Sequence, residues 1–291
     1  MTLDAGIKTT LLVAREVPPY GFFLSGGGQD VLLPYGEAEP RPKVGEKIDV
    51  FLFYDSKDRL TATRKEPLLT YGELALLEVA DTNARLGCFL DMGIGKHLLL
   101  PASELPKMRN EWPIKGDRVY VMMSSDKAGR PLAVAARDTQ LADKCARAPV
   151  SWKNRRVSAR VYRVTDKATF AICEAGMPGF GVIGMVHASE RIRPLRLGEL
   201  FEARVAYIRD DGRVNLALRP QKEISRMEDA ERILRYLRER PNGTMPYSDA
   251  TSADIIAEKF SISKAAFKRA LGKLLKEGKI VQENGWTRLK K

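Results

Sequence analysis

The sequence predicts a multidomain chain, mainly β as far as residue 219 and α+β beyond it. Three observations carry that reading. Short apolar runs of strand length recur between turn residues, and the clearest alternates: Val214, Leu216 and Leu218 are interleaved with Asn215 and Ala217, the period of a half-buried strand. Three landmarks return in step: a corner at Val44-Gly45-Glu46, Lys115-Gly116-Asp117 and Leu197-Gly198-Glu199, a basic turn at Asp58-Arg59, Gly129-Arg130 and Gly212-Arg213, and a closing arginine at Arg64, Arg137 and Arg219. Such self-similarity at a long spacing argues for tandem copies of one unit. After Pro220 the apolar period changes from two to 3.6. Five short strands with a helical turn between the third and fourth make a small closed OB barrel. The expectation is therefore three tandem five-stranded OB barrels followed by a winged-helix domain, with boundaries at 1–66, 67–149, 150–222 and 223–291.

In the first copy the strands read Thr9–Val13, Gly21–Leu24, Asp30–Leu33, Lys47–Tyr54 and Leu60–Arg64. Its second strand follows Tyr20 and carries Phe22 and Phe23, rings able to stack on bases if they face outward. In the second copy they read Leu74–Ala80, Gly87–Met92, Lys96–Leu100, Arg118–Ser124 and Leu132–Ala136. Only Phe89 remains there as a candidate stacking ring, which makes this copy the weakest binder and a candidate spacer. Gly26-Gly27-Gly28 and Gly93-Ile94-Gly95-Lys96 lack the spacing of a phosphate-binding loop and open no helix, so they are hairpin glycines. Leu141, Ala142 and Cys145 at helical spacing mark a linker helix between 138 and 149. The third copy comes after a basic lead, Trp152-Lys153-Asn154-Arg155-Arg156. Its strands are Val157–Val164, Thr169–Cys173, Gly179–Val186, Glu202–Ile208 and Val214–Leu218, with a tight turn at Asp210-Asp211-Gly212.

Beyond residue 220, Ala230–Glu239 places Ile233, Leu234 and Leu237 on one helix face. A second helix, Ala253–Lys259, starts after Ser252, a good N-cap. A third, Lys264–Glu277, starts after Ser263 and stops at Gly278. Ala266, Phe267, Ala270, Leu274 and Leu275 are expected in its core face, leaving Lys264, Lys268, Arg269, Lys273 and Lys276 to solvent. Lys279–Gln282 and Trp286–Leu289 close the module as a two-stranded hairpin carrying Trp286 and Arg288. Three helices and a hairpin make a winged helix, a variant of the helix-turn-helix.

Composition narrows the function. The 291 residues are 44% hydrophobic and 30% charged, as in a folded globular protein, and no apolar run has the roughly 20 residues that cross a bilayer. Residues 1–8 do not read as a signal peptide, so cytoplasm is the expected location. Cys88, Cys145 and Cys173 are far apart, and with only His97 and His187 beside them there is no material for a zinc site; no cofactor is expected. Of the net +12, residues 1–70 contribute −1 and 71–150 contribute +1, while 151–220 and 221–291 contribute +6 each. A block excess of this kind points to a polyanion.

Phe170, then Gly184-Met185-Val186-His187-Ala188-Ser189-Glu190, Gly198-Glu199 and Val214–Arg219 resemble the ribosomal protein S-one type of OB fold. That resemblance implies single-stranded RNA binding on one barrel face and points to Phe170, Phe180, His187 and Arg219, with basic residues around them: Arg155, Arg156, Arg160, Lys167 and Arg213. Lys167 stands where the family has the first aromatic of the second strand, trading stacking for charge. The whole chain is similar to the conserved virulence factor B family, most specifically in Ser263–Gly272 and in Leu33-Pro34 and Leu100-Pro101. The family implies tandem barrels with a C-terminal winged helix, RNA binding and a regulatory role rather than catalysis. Single-stranded RNA is the expected partner, with duplex nucleic acid or a protein as further partners for the winged helix, and neither a membrane nor a small-molecule substrate. The alternative is a DNA-binding transcription regulator led by the winged helix.

Overall fold

The computed structural model describes residues 3–174, 176, 179–219 and 222–290, and the chain divides into two compact units, Met1–Leu218 and Arg219–Lys291. In the first unit, strands β1 (Lys8–Val17), β2 (Gly21–Gly26), β3 (Gln29–Pro34), β4 (Lys47–Tyr54) and β5 (Leu60–Thr63) close a barrel in the order β1-β2-β3-β5-β4. The second copy comprises β6 (Leu74–Asn83), β7 (Gly87–Asp91), β8 (His97–Pro101), β9 (Arg118–Ser125) and β10 (Pro131–Ala135). Its sheet runs β10-β9-β6-β7-β8 and, among the described residues, no ladder joins β8 to β10. The expected ring is thus nearly closed: β8 and β10 lie side by side without a ladder between them. After the short helix α1 (Asp138–Ala142) come β11 (Arg156–Val164), β12 (Ala168–Cys173), β13 (Val182–His187), β14 (Leu200–Ile208) and β15 (Val214–Ala217), again closed. A 3-10 turn directly follows the third strand of each copy, at Tyr35–Glu37, Ala102–Glu104 and Ala188–Glu190, and the second copy adds another at Arg109–Glu111.

One irregularity recurs in all three copies and sets the outer surface. The first strand slips against the second between Val13 and Arg15, between Val79 and Asp81, and between Val161 and Arg163. The three valines are fully buried. Strict alternation would send the residue two positions on into the same core. A bulge adds a residue and re-aims the side chains beyond it, so Arg15, Asp81 and Arg163 pair with Phe23, Phe89 and Phe170 instead.

The copies pack on one another through outer faces. Phe51 and Phe53 of β4 join the core cluster of the second barrel, as does Leu197 of the third. A further cluster of Tyr120, Leu141, Tyr162, Ile172 and Ile183 lies between the second and third barrels. Arg196 ties the same two copies: its guanidinium lies 3.1 Å from Asp117 and 3.4 Å from Glu199, while Arg193 bonds Glu199 as well. The cysteines are free and lie among apolar groups, and burial pushes the Cys88 thiol up to about 11 and Cys173 up to about 12.

The second unit has α2 (Lys222–Arg238), β16 (Thr244–Met245), α3 (Ala253–Phe260), α4 (Lys264–Lys276), β17 (Ile280–Glu283) and β18 (Trp286–Leu289). Helix α2 begins eight residues before the expected Ala230; Met227 is exposed, so no apolar residue continues the core-facing period just before Ala230. The hairpin gains a third strand: β16 pairs with β18, and two residues are too few to carry a pattern. The core is aromatic, with Phe260 4.9 Å from both Tyr236 and Phe267, centroid to centroid. On α4, Leu271 is buried and the expected core residue Leu275 is exposed. Ser263 caps α4, its hydroxyl accepting from the Ala266 amide at 3.2 Å, whereas Ser252 makes no side-chain cap to α3.

Candidate nucleic-acid interface

On the first barrel the bulge lays the Arg15 guanidinium 4.6 Å from the centroid of the half-buried Phe23 ring. Asp30 holds Arg15 there at 2.8 Å. The cross-strand row continues from Phe23 to Leu32 on β3 and Thr61 on β5, and Tyr20, 66% exposed, stands just before β2. The third barrel repeats the device. The Arg163 guanidinium lies 3.9 Å from the Phe170 centroid and is held by Asp138 of α1 at 2.8 Å. Its row runs Arg163, Phe170, Met185, Asn215 and the exposed Tyr207, crossing β11, β12, β13, β15 and β14 in turn. His187 lies one pair further on, opposite Ala168. Its Nδ1 faces the Ser189 hydroxyl at 2.8 Å and the Ser189 amide at 3.3 Å. The second barrel has Phe89 between Leu99 and Asp81, so a carboxylate occupies the place of the arginine.

A cation stacked on a ring is attracted by the ring's quadrupole. It also presents a flat, positively charged plane on which a base can stack while N–H groups reach phosphate. Barrels one and three have this plane, and barrel two repels phosphate at the same point.

Four expected binders have partners within the protein. Phe22 is 1% exposed and fills the first barrel, edge-on to Tyr35 at 5.5 Å, because period two turns it inward when Phe23 turns out. Phe180 packs edge-on against Tyr120 at 5.3 Å, between the second and third barrels. Arg160 is 8% exposed and gripped by Glu174 at 2.6 Å. Arg213 shares Asp211 with Arg209, so part of the block of positive charge is neutralised internally. Arg155, Arg156 and Lys167 are exposed and have no carboxylate partner among the described residues. Arg219 is exposed at the start of the second unit. Arg15 and Arg163 were not singled out from sequence; their only signal is an arginine two places after the last buried valine of a first strand.

In the second unit, Lys268 lies 3.7 Å from Asp249, Lys273 lies 3.6 Å from Glu277, and Arg288 bonds Glu283 at 2.9 Å beside the half-exposed Trp286. Lys264 is half-buried, and Arg269 and Lys276 are exposed; none of the three has a carboxylate partner among the described residues. Gly272 sits on the outward side of α4, one turn from Lys268, Arg269 and Lys276, and nothing lies within 4 Å of where its Cβ would be. A glycine inside a helix costs about 1 kcal/mol against alanine, and neither packing nor a left-handed backbone requires it here. Gly272→Ala is therefore expected to raise stability in thermal unfolding while lowering nucleic-acid affinity, because it pushes a phosphate backbone away from the helix. A gain in stability with unchanged affinity would make this face ordinary solvated surface.

Comparison with known proteins gives the same module order. The description "S1 domain" matches residues 5–65, "CvfB first S1-like domain" matches 74–134, "Virulence regulatory factor CvfB, second domain" matches 142–220, and "CvfB-like winged helix domain" matches 231–289. The chain is 39% identical over 290 residues to the Bacillus subtilis protein YitL, covering 100% of this chain and 95% of that one. It is 30% identical over 305 residues to conserved virulence factor B of Staphylococcus aureus, covering 99% of each. A crystal structure of a multidomain protein with nucleic acid binding domains from Streptococcus pneumoniae superposes with a TM-score of 0.64 at 30% identity, covering 98% of both chains.

Proposed function

Because the chain belongs to the conserved virulence factor B family, whose S1-like and winged-helix domains indicate nucleic-acid binding, we propose that it is a regulator of gene expression that holds single-stranded RNA. Barrels one and three supply the base-stacking surfaces, and exposed cations of the third barrel and of α4 hold the backbone. The observation that carries this reading is the repeated stack, Arg15 on Phe23 and Arg163 on Phe170, with Asp81 in its place on the middle barrel. Two platforms separated by a non-binding module suit an extended strand, which bends between them, better than a duplex.

Filter binding of the full chain to single-stranded RNA, single-stranded DNA and duplex DNA across a salt series tests it. Single-stranded RNA is expected to bind tightest, with log affinity falling by about 0.7 per phosphate neutralised for each decade of salt. A selected duplex site bound more tightly than any RNA, and lost on Lys268→Ala with Arg269→Ala, would overturn this in favour of a DNA-binding transcription regulator, because base-edge contacts carry sequence discrimination and phosphate contacts carry none.

A further inference from the structure

The side of the second barrel where β8 and β10 meet faces a cavity of about 460 Å³. One wall is the first barrel: Phe53, and the hairpin after it with Asp55 and Asp58. The other is the second barrel's Leu98 and Leu99 on β8 and Leu132 on β10, with Lys96, His97 and Arg130 at the rim. In barrels one and three the third and fifth strands are joined in parallel, at Leu32–Thr61 and across Gly184–Val214, Met185–Asn215 and Val186–Leu216. Here no ladder is formed between β8 and β10, although the two strands lie side by side as their counterparts do.

The charges at the rim are not equivalent. Asp55 is bound by Arg59 through its side chain and backbone, which holds its carboxyl well down, at about 2. Asp126 is likewise taken by Arg130 at 2.8 Å. Lys96 lies 5.4 Å from the Phe53 ring centroid, and neither it nor His97 has a carboxylate partner among the described residues. The volume falls within the ~300–1,000 Å³ of small-molecule sites. An apolar floor beside Phe53, with the unpaired Lys96 and the His97 ring at the end of the mouth away from the Arg-bound Asp55 and Asp126, matches a flat heterocycle carrying a phosphate. Among the described residues lining the cleft, the Asp58 carboxylate is the one charge that opposes it.

We propose that this cleft is a pocket for a single nucleotide, the base on the apolar floor of Phe53, Leu99 and Leu132 and the phosphate at Lys96 and His97. The site rests on no part of the strand-binding reading, and the same chemistry is offered by a free nucleoside monophosphate or by the phosphorylated 5′ end of an RNA.

Calorimetry on the full chain separates these sources. The probes are 5′-AMP, 5′-GMP, 5′-CMP and 5′-UMP, then one short RNA with a 5′-phosphate or a 5′-hydroxyl. At least one probe is expected to bind saturably with one-to-one stoichiometry. Lys96→Glu, an exposed change, and Leu132→Trp, which fills the cleft, should each weaken it tenfold or more. Binding of a monophosphate assigns the free nucleotide. A preference confined to the 5′-phosphorylated RNA assigns the strand end. Circular single-stranded RNA, which has no end, should bind both variants as it binds the parent, so loss of outer-face binding is read separately. If Leu132→Trp fails to fold, Lys96→Glu alone decides. No saturable binding by any probe, or binding indifferent to Lys96→Glu, overturns the proposal.

Discussion

Phe22→Ala is expected to destabilise the first unit by about 3–5 kcal/mol, the usual cost of deleting a fully buried ring. Phe23→Ala, one residue on, should cost little stability. It should instead weaken binding to unstructured RNA by about 1–3 kcal/mol, the contribution of one base–aromatic stack. The two side chains differ in little but the face they occupy: Phe22 lies in the barrel core and Phe23 lies under Arg15. Urea denaturation and filter binding on both variants check the split. Phe170→Leu should lose affinity as Phe23→Ala does and some stability as well, because Phe170 also packs against the Tyr162 cluster between the second and third barrels. Arg163→Ala should lower the salt slope if that guanidinium meets a phosphate. Equal losses of stability for Phe22 and Phe23, or unchanged affinity in Phe23→Ala, would mean that the outer rings serve only packing.

Arg196→Ala should cost about 3 kcal/mol at neutral pH, since removing one partner leaves buried charge uncompensated. Asp117 and Glu199 are 9% and 6% exposed, while the arginine itself is more open, which places the effect at the low end for buried pairs. The pH dependence has a definite sign. Burial pushes the Glu199 carboxyl up, but the Arg193 hydrogen bond, the Arg196 amide and both guanidinium charges outweigh it, and the net is below the ordinary 4.5. A lowered carboxylate adds stability above its unfolded value and loses it as pH falls through the folded value. The gap between parent and variant should therefore be full at neutral pH and narrow as pH falls below the ordinary carboxylate value of 4.5 and through the lowered folded value. Denaturant midpoints measured through that window check it. A gap that stays constant in acid would show that Arg196 acts by packing alone. The corner glycine beside this network is constrained as its two counterparts are not. At Gly198 (φ 81°) a Cβ would meet the Arg118 carbonyl oxygen at 2.8 Å, whereas Gly45 and Gly116 face open space.

The order of modules, most strands and all three major helices were legible because the signals are local. Alternation, a turn glycine and a change of period each live within a few residues, and a tandem repeat states them three times. The misreadings have equally local causes: β16 is two residues long, and the exposed Met227 interrupts the apolar period of α2 ahead of Ala230. That the second barrel lacks the ladder between its third and fifth strands had no signal in the sequence, because the pairing is between strands far apart in the chain.

The binding surface divides differently. Sequence alone supplied its materials: outward rings on second strands, a histidine after the third strand of barrel three, and positive charge concentrated after residue 150. Tertiary structure decided which of them remain available. Arg163 is held on Phe170 by Asp138, 25 residues away, Arg196 is spent on Asp117, 79 residues away, and Phe180 is covered by Tyr120 of another barrel. A strand pattern gives the side on which a residue starts. A one-residue bulge reverses that side, and a charge is free or neutralised according to partners that only the folded chain brings within a few ångströms.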